Sequence, residues 1–390
     1  MKRDIIVPGS VLGVLGGGQL GAMFAAAAVR LGYAVAVWDP DQDAPAHRLA
    51  RYSFPSGFAD QAVLAEFCRL VHVVTYEWEN VPADLCVRLE RELRVRPASA
   101  ILRTIQHRVR QKEYLKAHGF PVADFVAVAS MTEWQDAVAR IGYPAVCKTA
   151  TAGYDGKGQW RIAGVNDLPD VERAVSDSLP RGMQWVLESL VPFERELSVL
   201  IVRGPDGNCR SYPTAENEHE QGMLRTTIVP ADIPERHAGQ AQELARSVIE
   251  QMDGIGVFCV ELFQLADGTL LINEIAPRPH NSGHYTLDAC TVSQFEQQVR
   301  AVCGLPLGEV RLLSPAAMVN IIGDELSVVM DSEGCDALLS VPGAVLHLYG
   351  KRQIRPRRKM GHLTVLADRV SAARDKAAEV RHRLATVLPR

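Results

Sequence analysis

Short apolar segments alternate with helical segments through the first hundred residues, and this alternation limits the fold more than any other feature. The apolar segments are Val11–Leu15, Ala34–Trp38 and Val71–Tyr76, and an alanine-rich stretch from Gln19 to Leu31 separates the first two. Strands that are apolar on both faces belong in a parallel sheet that helices cover on both sides. We therefore predict an α/β domain with a parallel sheet over residues 1–98.

Longer helices and a mixture of strands are predicted for the rest of the chain. Residues 99–118 and Thr286–Val302 have helical patterns, and so does Thr132–Ile141, where Thr132 and Gln135 suit a capping box. The tail from Ser314 has short strand patterns and one last helix.

These patterns predict three domains, which suits 390 residues at roughly 100–200 residues per domain. We expect an α+β domain over 99–310, with a smaller lobe at about 120–186. A small β-rich domain is expected over 311–390.

Charge and cysteine usage exclude several classes of protein. The 42 basic and 46 acidic residues give a net charge of −4, which argues against a globally basic nucleic-acid binder. No apolar run reaches the ~18 residues of a membrane span. The eight cysteines form no C-x-x-C pair, so neither a zinc cluster nor a disulfide framework is indicated. We expect a cytoplasmic protein that binds neither membrane nor nucleic acid.

The first glycine cluster permits two interpretations. Gly16, Gly18 and Gly21 fit G-x-G-x-x-G between a strand and a helix, and Asp39 ends the next strand. This arrangement is typical of dinucleotide binding, so an NAD-dependent dehydrogenase is one hypothesis. The alternative is a tight strand-to-helix turn without a ligand, and the loop alone does not decide between them.

A second glycine loop indicates phosphate binding. Lys148 ends an apolar strand, and the loop Gly153-Tyr154-Asp155-Gly156-Lys157-Gly158-Gln159 begins five residues later. Its glycines can present several backbone N–H groups to a polyphosphate, and Lys148 and Lys157 add positive charge. A flexible hairpin with solvated lysines is the alternative.

A hairpin further along the chain brings two acidic residues together. If Asp267-Gly268 is a two-residue turn, Glu261 lies directly opposite Glu274, with Cβ atoms ~4.5–5.5 Å apart. Both glutamates lie in apolar strands, where two like charges need a cation or a shared proton. Oxygen ligands suit Mg²⁺, so a metal site is predicted; a register slip of one residue is the alternative.

Together the strand lysine, the glycine loop and the paired glutamates resemble the ATP-grasp superfamily. The chain resembles one family within it over nearly its whole length, the N5-carboxyaminoimidazole ribonucleotide synthetases. The segments that carry this resemblance are Gly16–Gly21, Val74–Pro82, Gly153–Gln159, Tyr212–Ala231 and Asn273–Tyr285. The resemblance implies an ATP-grasp fold preceded by a Rossmann-like pre-ATP-grasp domain. It also implies ATP as cosubstrate with Mg²⁺ or Mn²⁺, and a homodimer.

The resemblance implies a role for each matching residue of the nucleotide site. Glu261 and Glu274 would ligate the metal. Strand alternation turns Asn273 away from the face of Glu274. The residues implied in ATP binding are Arg108, Lys148, Gly153, Tyr154, Asp155, Gly156, Lys157, Gly158, Gln159, Glu188, Ser189, Leu190, Val191, Glu196, His219, Asn273 and Glu274.

The implied reaction has two steps. Bicarbonate attacks the γ-phosphate of ATP to give carboxyphosphate and ADP, and the amine of aminoimidazole ribonucleotide then captures the carboxyl group. The resemblance implies that Arg278, Tyr154 and Asp155 are catalytic. Arg278 suits this role because a guanidinium binds oxyanions in a fork. The resemblance implies that the ribonucleotide is bound by Glu77, Arg278, His280, Lys351 and Arg358. The last four would contact its 5′-phosphate, and Glu77 would lie near the aminoimidazole.

Two other functions are compatible with parts of the sequence. A formate-dependent glycinamide ribonucleotide transformylase would share the nucleotide site, and a non-catalytic nucleotide sensor would not need the paired glutamates.

The chain also departs from the family at Thr149–Ala152, where a more basic stretch is expected, and at His107, where an acid is usual. Trp38 and Trp78 are predicted to lie in the core.

Overall fold

The computed structural model describes residues 5–151, 153 and 158–386. Within that part of the chain, no helix is both long and apolar enough to cross a membrane. The first third contains β1 (Val11–Leu15), α1 (Gln19–Arg30), β2 (Ala34–Trp38), β3 (Tyr52–Phe54), α2 (Gln61–Leu70), β4 (Val73–Tyr76), α3 (Ala83–Leu89), β5 (Arg94–Val95), α4 (Ser99–Ile105) and α5 (Arg108–Ala117).

The middle of the chain supplies most of the strands. It contains β6 (Phe125–Val128), α6 (Met131–Ile141), β7 (Ala145–Thr149), β8 (Gln159–Ile162), α7 (Leu168–Ser178), β9 (Trp185–Ser189), β10 (Arg195–Arg203), β11 (Cys209–Ser211), β12 (Ala215–Glu220), β13 (Met223–Val229), α8 (Glu235–Gln251), β14 (Gly256–Gln264) and β15 (Leu270–Ala276).

The remaining elements are α9 (Thr286–Ala289), α10 (Gln294–Cys303), β16 (Ala316–Ile322), α11 (Leu326–Met330), α12 (Ser332–Leu339), β17 (Ala344–Leu348), β18 (Lys359–Leu366) and α13 (Val370–Thr386).

The N-terminal domain is built on a parallel sheet with the strand order β3-β2-β1-β4-β5. Apolar clusters cover both faces: Phe24 and Val35 belong to one, and Trp38 and Phe67 to the other. The predicted parallel-sheet domain is confirmed. Its strands are apolar on both sides because both sides are buried.

A small lobe follows, with the strand order β6-β9-β7-β8. All pairs in this sheet are antiparallel. One face packs on α6 and α7 through a cluster that includes Trp134, Val171 and Trp185. The other face carries Lys148 and Glu188, and its Val186 packs with Val109 of α5.

The largest sheet has the order β15-β14-β10-β12-β13-β16-β18-β17, with β11 paired to β10. The C-terminal strands therefore extend the sheet of the preceding domain through the β13–β16 pair. On one face, Leu197, Val199 and Val260 pack against α8. Because neighbouring residues of a strand point to opposite faces, the residues between them point to the other face, where the cavity lies.

Three sequence predictions about local structure were wrong. The helix predicted for 99–118 is two helices, and His107 accepts the backbone N–H of Arg110 at the start of α5. The N-cap of α6 is Ser130 rather than Thr132, and its hydroxyl accepts the N–H of Glu133. The helix predicted over 286–302 breaks between Ala289 and Gln294, where Cys290 pairs with Leu312.

The β14–β15 hairpin differs from its predicted geometry near the turn. The backbone N–H of Leu265 donates to the carbonyl of Thr269, so the loop has three residues, 266–268, rather than two. Gly268 takes a positive φ of 87° in this loop. A register shift then occurs between Glu261 and Leu262.

Candidate active site

A cavity of about 460 Å³ lies where the three parts of the chain meet. Its wall includes residues from the N-terminal domain, the small lobe, and the large sheet. Of the residues proposed from the sequence, twelve line it: Glu77, Arg108, Lys148, Gly153, Gln159, Glu196, His219, Glu261, Asn273, Glu274, Arg278 and His280. Lys359, Asn281 and Phe263 also line it.

Glu261 and Glu274 are paired across β14 and β15, as the sequence predicted. The register shift leaves Asn273 as an extra residue in a β-bulge, which re-aims its side chain. The Asn273 amide lies 3.5 Å from a carboxylate oxygen of Glu261, within the same cavity. The prediction that Asn273 points away from the face of Glu274 was therefore wrong.

The two glutamates form an acidic pair that fits a divalent cation. Burial and the neighbouring Glu274 carboxylate raise the pKa of Glu261 above its ordinary value, so the pair carries two negative charges only at a cost. A hard cation with oxygen ligands relieves this repulsion, and Mg²⁺ prefers such ligands together with substrate phosphates. The residues present fit Mg²⁺, and Mn²⁺ accepts the same donor set.

Arg108 joins the acidic pair to the glycine loop. It is the first residue of α5, and its backbone N–H donates to the carbonyl of Ala150 at 2.8 Å, next to β7. Its guanidinium donates to Glu274 Oε2 at 2.6 Å and to the carbonyl of Gly153 at 3.2 Å. Positive charge is thus fixed where the loop meets the paired glutamates.

Lys148 shares a buried carboxylate with a second lysine. Lys148 Nζ lies 3.0 Å and Lys112 Nζ 3.1 Å from the same oxygen of Glu188. Burial alone would raise the pKa of Glu188, but the two ammonium groups outweigh it and lower the pKa to about 2. Two cations against one carboxylate leave this wall of the cavity with a net positive charge, which suits a polyphosphate.

Glu196 and His219 form a pair on adjacent strands of the large sheet. Glu196 lies on β10 and His219 on β12, and His219 Nδ1 is 2.6 Å from Glu196 Oε2. Burial lowers the pKa of His219, but the hydrogen bond to Glu196 and the charge of Glu261 raise it above its ordinary value.

The first glycine loop binds side chains of its own domain. Glu77 accepts the backbone N–H groups of Gly18 at 2.6 Å and Gly21 at 2.8 Å, and Asp39 accepts that of Gly17 at 2.6 Å. A Cβ on Gly18 would lie 2.6 Å from Glu77 Oε1, so glycine is needed for this approach. The loop therefore uses its N–H donors on carboxylates of the chain itself, which removes the basis for the dehydrogenase hypothesis.

His280 stands between the acidic pair and the segment that follows β15. The backbone N–H of Ser282 donates to His280 Nδ1 at 3.3 Å, so the ring proton belongs on Nε2. Nε2 lies 3.4 Å from Glu261 Oε1. Burial and Arg278 lower the pKa of His280 well below its ordinary value, and the ring is neutral at physiological pH.

Several proposed residues lie away from the cavity wall. Glu188 lies behind Lys148, Ser189 is the last residue of β9, and Leu190 and Val191 follow it. Lys351 Nζ donates to the carbonyl of Lys359 at 2.8 Å, and Arg358 Nη1 donates to that of Gln353 at 3.0 Å. Four of the proposed residues lie outside the described part of the chain: Tyr154, Asp155, Gly156 and Lys157.

Sequence reasoning missed Lys112 and Glu79. Lys112 lies four residues after Arg108 on α5, and this helical spacing was the available signal, because it places both side chains on one face. Glu79 binds Arg278 from a distant part of the sequence, and no local pattern indicates that contact.

A further cluster of titratable groups lies between α9 and the β17–β18 pair. One potential metal-ligand atom each of Asp288, His347 and His362 lies within 4.8 Å of the other two. The two imidazole rings stack 4.5 Å apart with planes inclined by 13°, so their in-plane lone pairs do not converge on one ion. His347 instead lies 3.0 Å from the carboxylate of Asp288 and ties β17 to α9.

Family models match three segments of the chain. They are described as a ribonucleotide synthetase preATP-grasp domain over 10–106, an ATP-grasp domain over 113–295 and a phosphoribosylaminoimidazole carboxylase C-terminal domain over 316–376. The chain is 41% identical to the N5-carboxyaminoimidazole ribonucleotide synthase of Bacillus subtilis, over 94% of each chain.

Solved structures agree with this relationship. The chain resembles an ADP complex of an N5-carboxyaminoimidazole ribonucleotide synthetase with a TM-score of 0.91 at 39% identity, covering 98% of both chains. It also resembles the Aspergillus clavatus enzyme in complex with ADP and 5-aminoimidazole ribonucleotide, with a TM-score of 0.86 at 33% identity over 96% of this chain and 98% of that one. The chain therefore belongs to the N5-carboxyaminoimidazole ribonucleotide synthetase family of ATP-grasp enzymes.

Proposed function

We propose that the chain is an ATP-dependent ligase of purine biosynthesis that carboxylates 5-aminoimidazole ribonucleotide to N5-carboxyaminoimidazole ribonucleotide. The observation that carries the proposal is the joining of three groups in one cavity. These are the acidic pair Glu261 and Glu274, the cationic wall of Arg108 and Lys148, and the Arg278–His280 segment. Family membership supports it independently.

In this proposal bicarbonate is the carboxyl donor. Its oxygen attacks the γ-phosphorus of ATP, the bond to the β-phosphate oxygen breaks, and carboxyphosphate and ADP form. The amine nitrogen of the ribonucleotide then attacks the carboxyl carbon, loses a proton, and expels phosphate. Such phosphoryl transfer depends on alignment and charge neutralisation more than on a covalent residue.

The residues of the cavity have distinct tasks in this reaction. Arg108 and Lys148 bind the phosphates of ATP, and Arg278 aligns the bicarbonate-derived oxyanion. Glu261 and Glu274 would hold Mg²⁺, which neutralises polyphosphate charge when bound. The loop at 153–159 would close over the nucleotide and exclude water, because carboxyphosphate is readily hydrolysed.

We propose that Lys351 and Arg358 bind the 5′-phosphate of the ribonucleotide together with Arg278 and His280. Glu77 is proposed near its aminoimidazole. Glu196 is proposed at the ribose hydroxyls of ATP, and the backbone of Glu188–Val191 at its adenine. His219 and Asn273 are proposed to complete the nucleotide site. Tyr154 and Asp155 are proposed near the aminoimidazole on the ground of the family resemblance alone.

We also propose a cytoplasmic homodimer. The family resemblance supports the dimer, and light scattering after gel filtration tests it. The cysteines of the chain are all free thiols, most of them buried, and this suits a reducing compartment.

The test of the activity is ADP release in the presence of aminoimidazole ribonucleotide, with and without bicarbonate. We expect rapid ADP release only when both are present, with one carboxylated product for each ADP. Formate in place of bicarbonate, with glycinamide ribonucleotide as acceptor, distinguishes the related transformylase activity. ADP release that ignores bicarbonate would contradict the proposed function.

A further inference from the structure

We propose that Glu79 is a positioning residue, which holds Arg278 in the orientation that receives the oxyanion in the carboxylation reaction. The inference rests on the proposed function, since that function gives Arg278 its oxyanion. It adds a residue of the N-terminal domain to the machinery of the ATP-grasp domain.

The contact uses one edge of the guanidinium and leaves another free. Arg278 Nε donates to Glu79 Oε2, and Arg278 Nη1 donates to the carbonyl of Pro279 at 3.1 Å. Within the described part of the chain, Nη2 has no hydrogen-bond partner. Because the five donors of a guanidinium lie in one rigid plane, fixing Nε also fixes where Nη2 points.

Glu79 is itself held in place. It belongs to the segment that follows β4, and the side-chain amide of Gln106 donates to the carbonyls of Glu79 at 3.1 Å and Val81 at 3.3 Å. The exposed fractions of the two side chains are 26% for Glu79 and 13% for Arg278. A mostly buried, charge-assisted hydrogen bond between two braced groups is strong and directional.

A second carboxylate, that of Glu77, lies near Arg278 but has its own hydrogen-bond partners. Glu77 lies two residues before Glu79 and interacts electrostatically with Arg278. Burial would raise the pKa of Glu79, but Arg278 lowers it below its ordinary value, so Glu79 is ionised at neutral pH. With Glu79 present, Glu77 remains on the N–H groups of Gly18 and Gly21.

A misplaced guanidinium would harm one step more than the others. Arg108 and Lys148 are positioned by Glu274 and Glu188, so ATP binding does not depend on Glu79. Alignment of the bicarbonate-derived oxyanion does depend on it. Without that alignment, more of the carboxyphosphate is lost to water before the amine captures it.

The experiment compares Glu79→Gln, Glu79→Asp and wild type in steady-state kinetics. Glu79→Gln keeps the size of the side chain and removes its charge. We expect kcat/KM for bicarbonate to fall roughly 10- to 100-fold, as for a displacement of about 1 Å in a reacting group. The KM for ATP should stay within about twofold, because its contacts are untouched.

The second readout is the ratio of phosphate released to ribonucleotide carboxylated. It should rise above one for Glu79→Gln and return toward one for Glu79→Asp, which restores the charge. A merely structural role would not change this ratio. The matched control is Asp84→Asn, which breaks the exposed pair between Asp84 of the N-terminal domain and Arg103 and should leave every parameter as in wild type.

Three results would overturn the inference. They are wild-type bicarbonate kinetics in Glu79→Gln, an equal rise in KM for ATP, and a folded Glu79→Asp variant that recovers nothing. If wild type itself fails to carboxylate the ribonucleotide, the proposed function is at fault instead. If Glu79→Gln does not fold, Glu79→Asp alone still decides. A ratio of phosphate to carboxylated product near one supports the inference, and a ratio well above one in the folded variant overturns it.

Discussion

Glu261 and Glu274 face each other across β14 and β15 although the turn between these strands is longer than the one that predicts this pairing. The three-residue loop shifts the register by one, and the bulge at Asn273 shifts it back. The bulge therefore does two things at once. It restores the acidic pair, and it turns the Asn273 amide into the cavity beside Glu261.

Glu188 should stabilise the fold in a pH-dependent way. Its pKa of about 2 lies below the ordinary value near 4.5, so its contribution is full above that value and is lost as the pH falls toward 2. Glu188→Gln leaves Lys112 and Lys148 without a counter-ion and should lower the free energy of unfolding by about 3–5 kcal/mol at pH 7.

Urea denaturation from pH 7 to pH 2 checks this prediction. The difference in the free energy of unfolding between wild type and Glu188→Gln should become smaller below pH 4.5. The exposed control Glu243→Gln should have the same free energy of unfolding as wild type at every pH. A difference that stays constant with pH would show that Glu188 does not act as a charge.

Gly158 is a position where a side chain should impair nucleotide binding. Its φ is +70°, and a Cβ would lie 2.5 Å from Thr149 Oγ1. The left-handed conformation costs a residue with Cβ ~1–2 kcal/mol, so Gly158→Ala should raise the KM for ATP roughly 5- to 30-fold. The control is Gly164→Ala, where the backbone is extended and no atom lies within 4 Å. Equal KM values in both variants would contradict the proposed role of this loop.

Arg358 should matter for the ribonucleotide and not for ATP. Loss of a charge-assisted contact to phosphate costs about 1.5–3 kcal/mol, so Arg358→Ala should raise the KM for the ribonucleotide by roughly 10- to 150-fold. Arg355→Ala is the matched control, since Arg355 is exposed and its guanidinium binds Gln353 of the same segment. A parallel rise in KM for ATP, or similar effects of both substitutions, counts against the assignment.

Features fixed by local pattern were predictable from the sequence. The strands β1, β2 and β4 follow from their apolar runs, and Lys148 follows from its place between an apolar strand and the glycine loop. The pairing of Glu261 with Glu274 was predicted from a two-residue turn, and it holds because the bulge offsets the longer loop. Trp78 was predicted in the core but is 44% exposed, because it lies in the segment after β4 rather than within a strand.

Contacts between distant segments were not predictable. The Glu79–Arg278 pair joins residues 199 positions apart, and the Lys112–Glu188 pair joins a helix to a strand of another sheet. Such contacts depend on how domains pack, and a single sequence carries no periodic signal for that. The helix break at His107 has the same origin, since Arg108 is held by the carbonyl of Ala150.

The central claim is that Glu261 and Glu274 together hold a divalent cation beside the triphosphate. Its most direct test is Mn²⁺ titration followed by electron paramagnetic resonance, with a non-hydrolysable ATP analogue present. Wild type and Glu243→Gln should bind Mn²⁺ alike, whereas Glu261→Gln and Glu274→Gln should bind it at least roughly tenfold more weakly and lose ADP release. Unchanged Mn²⁺ affinity in both glutamine variants would contradict the claim.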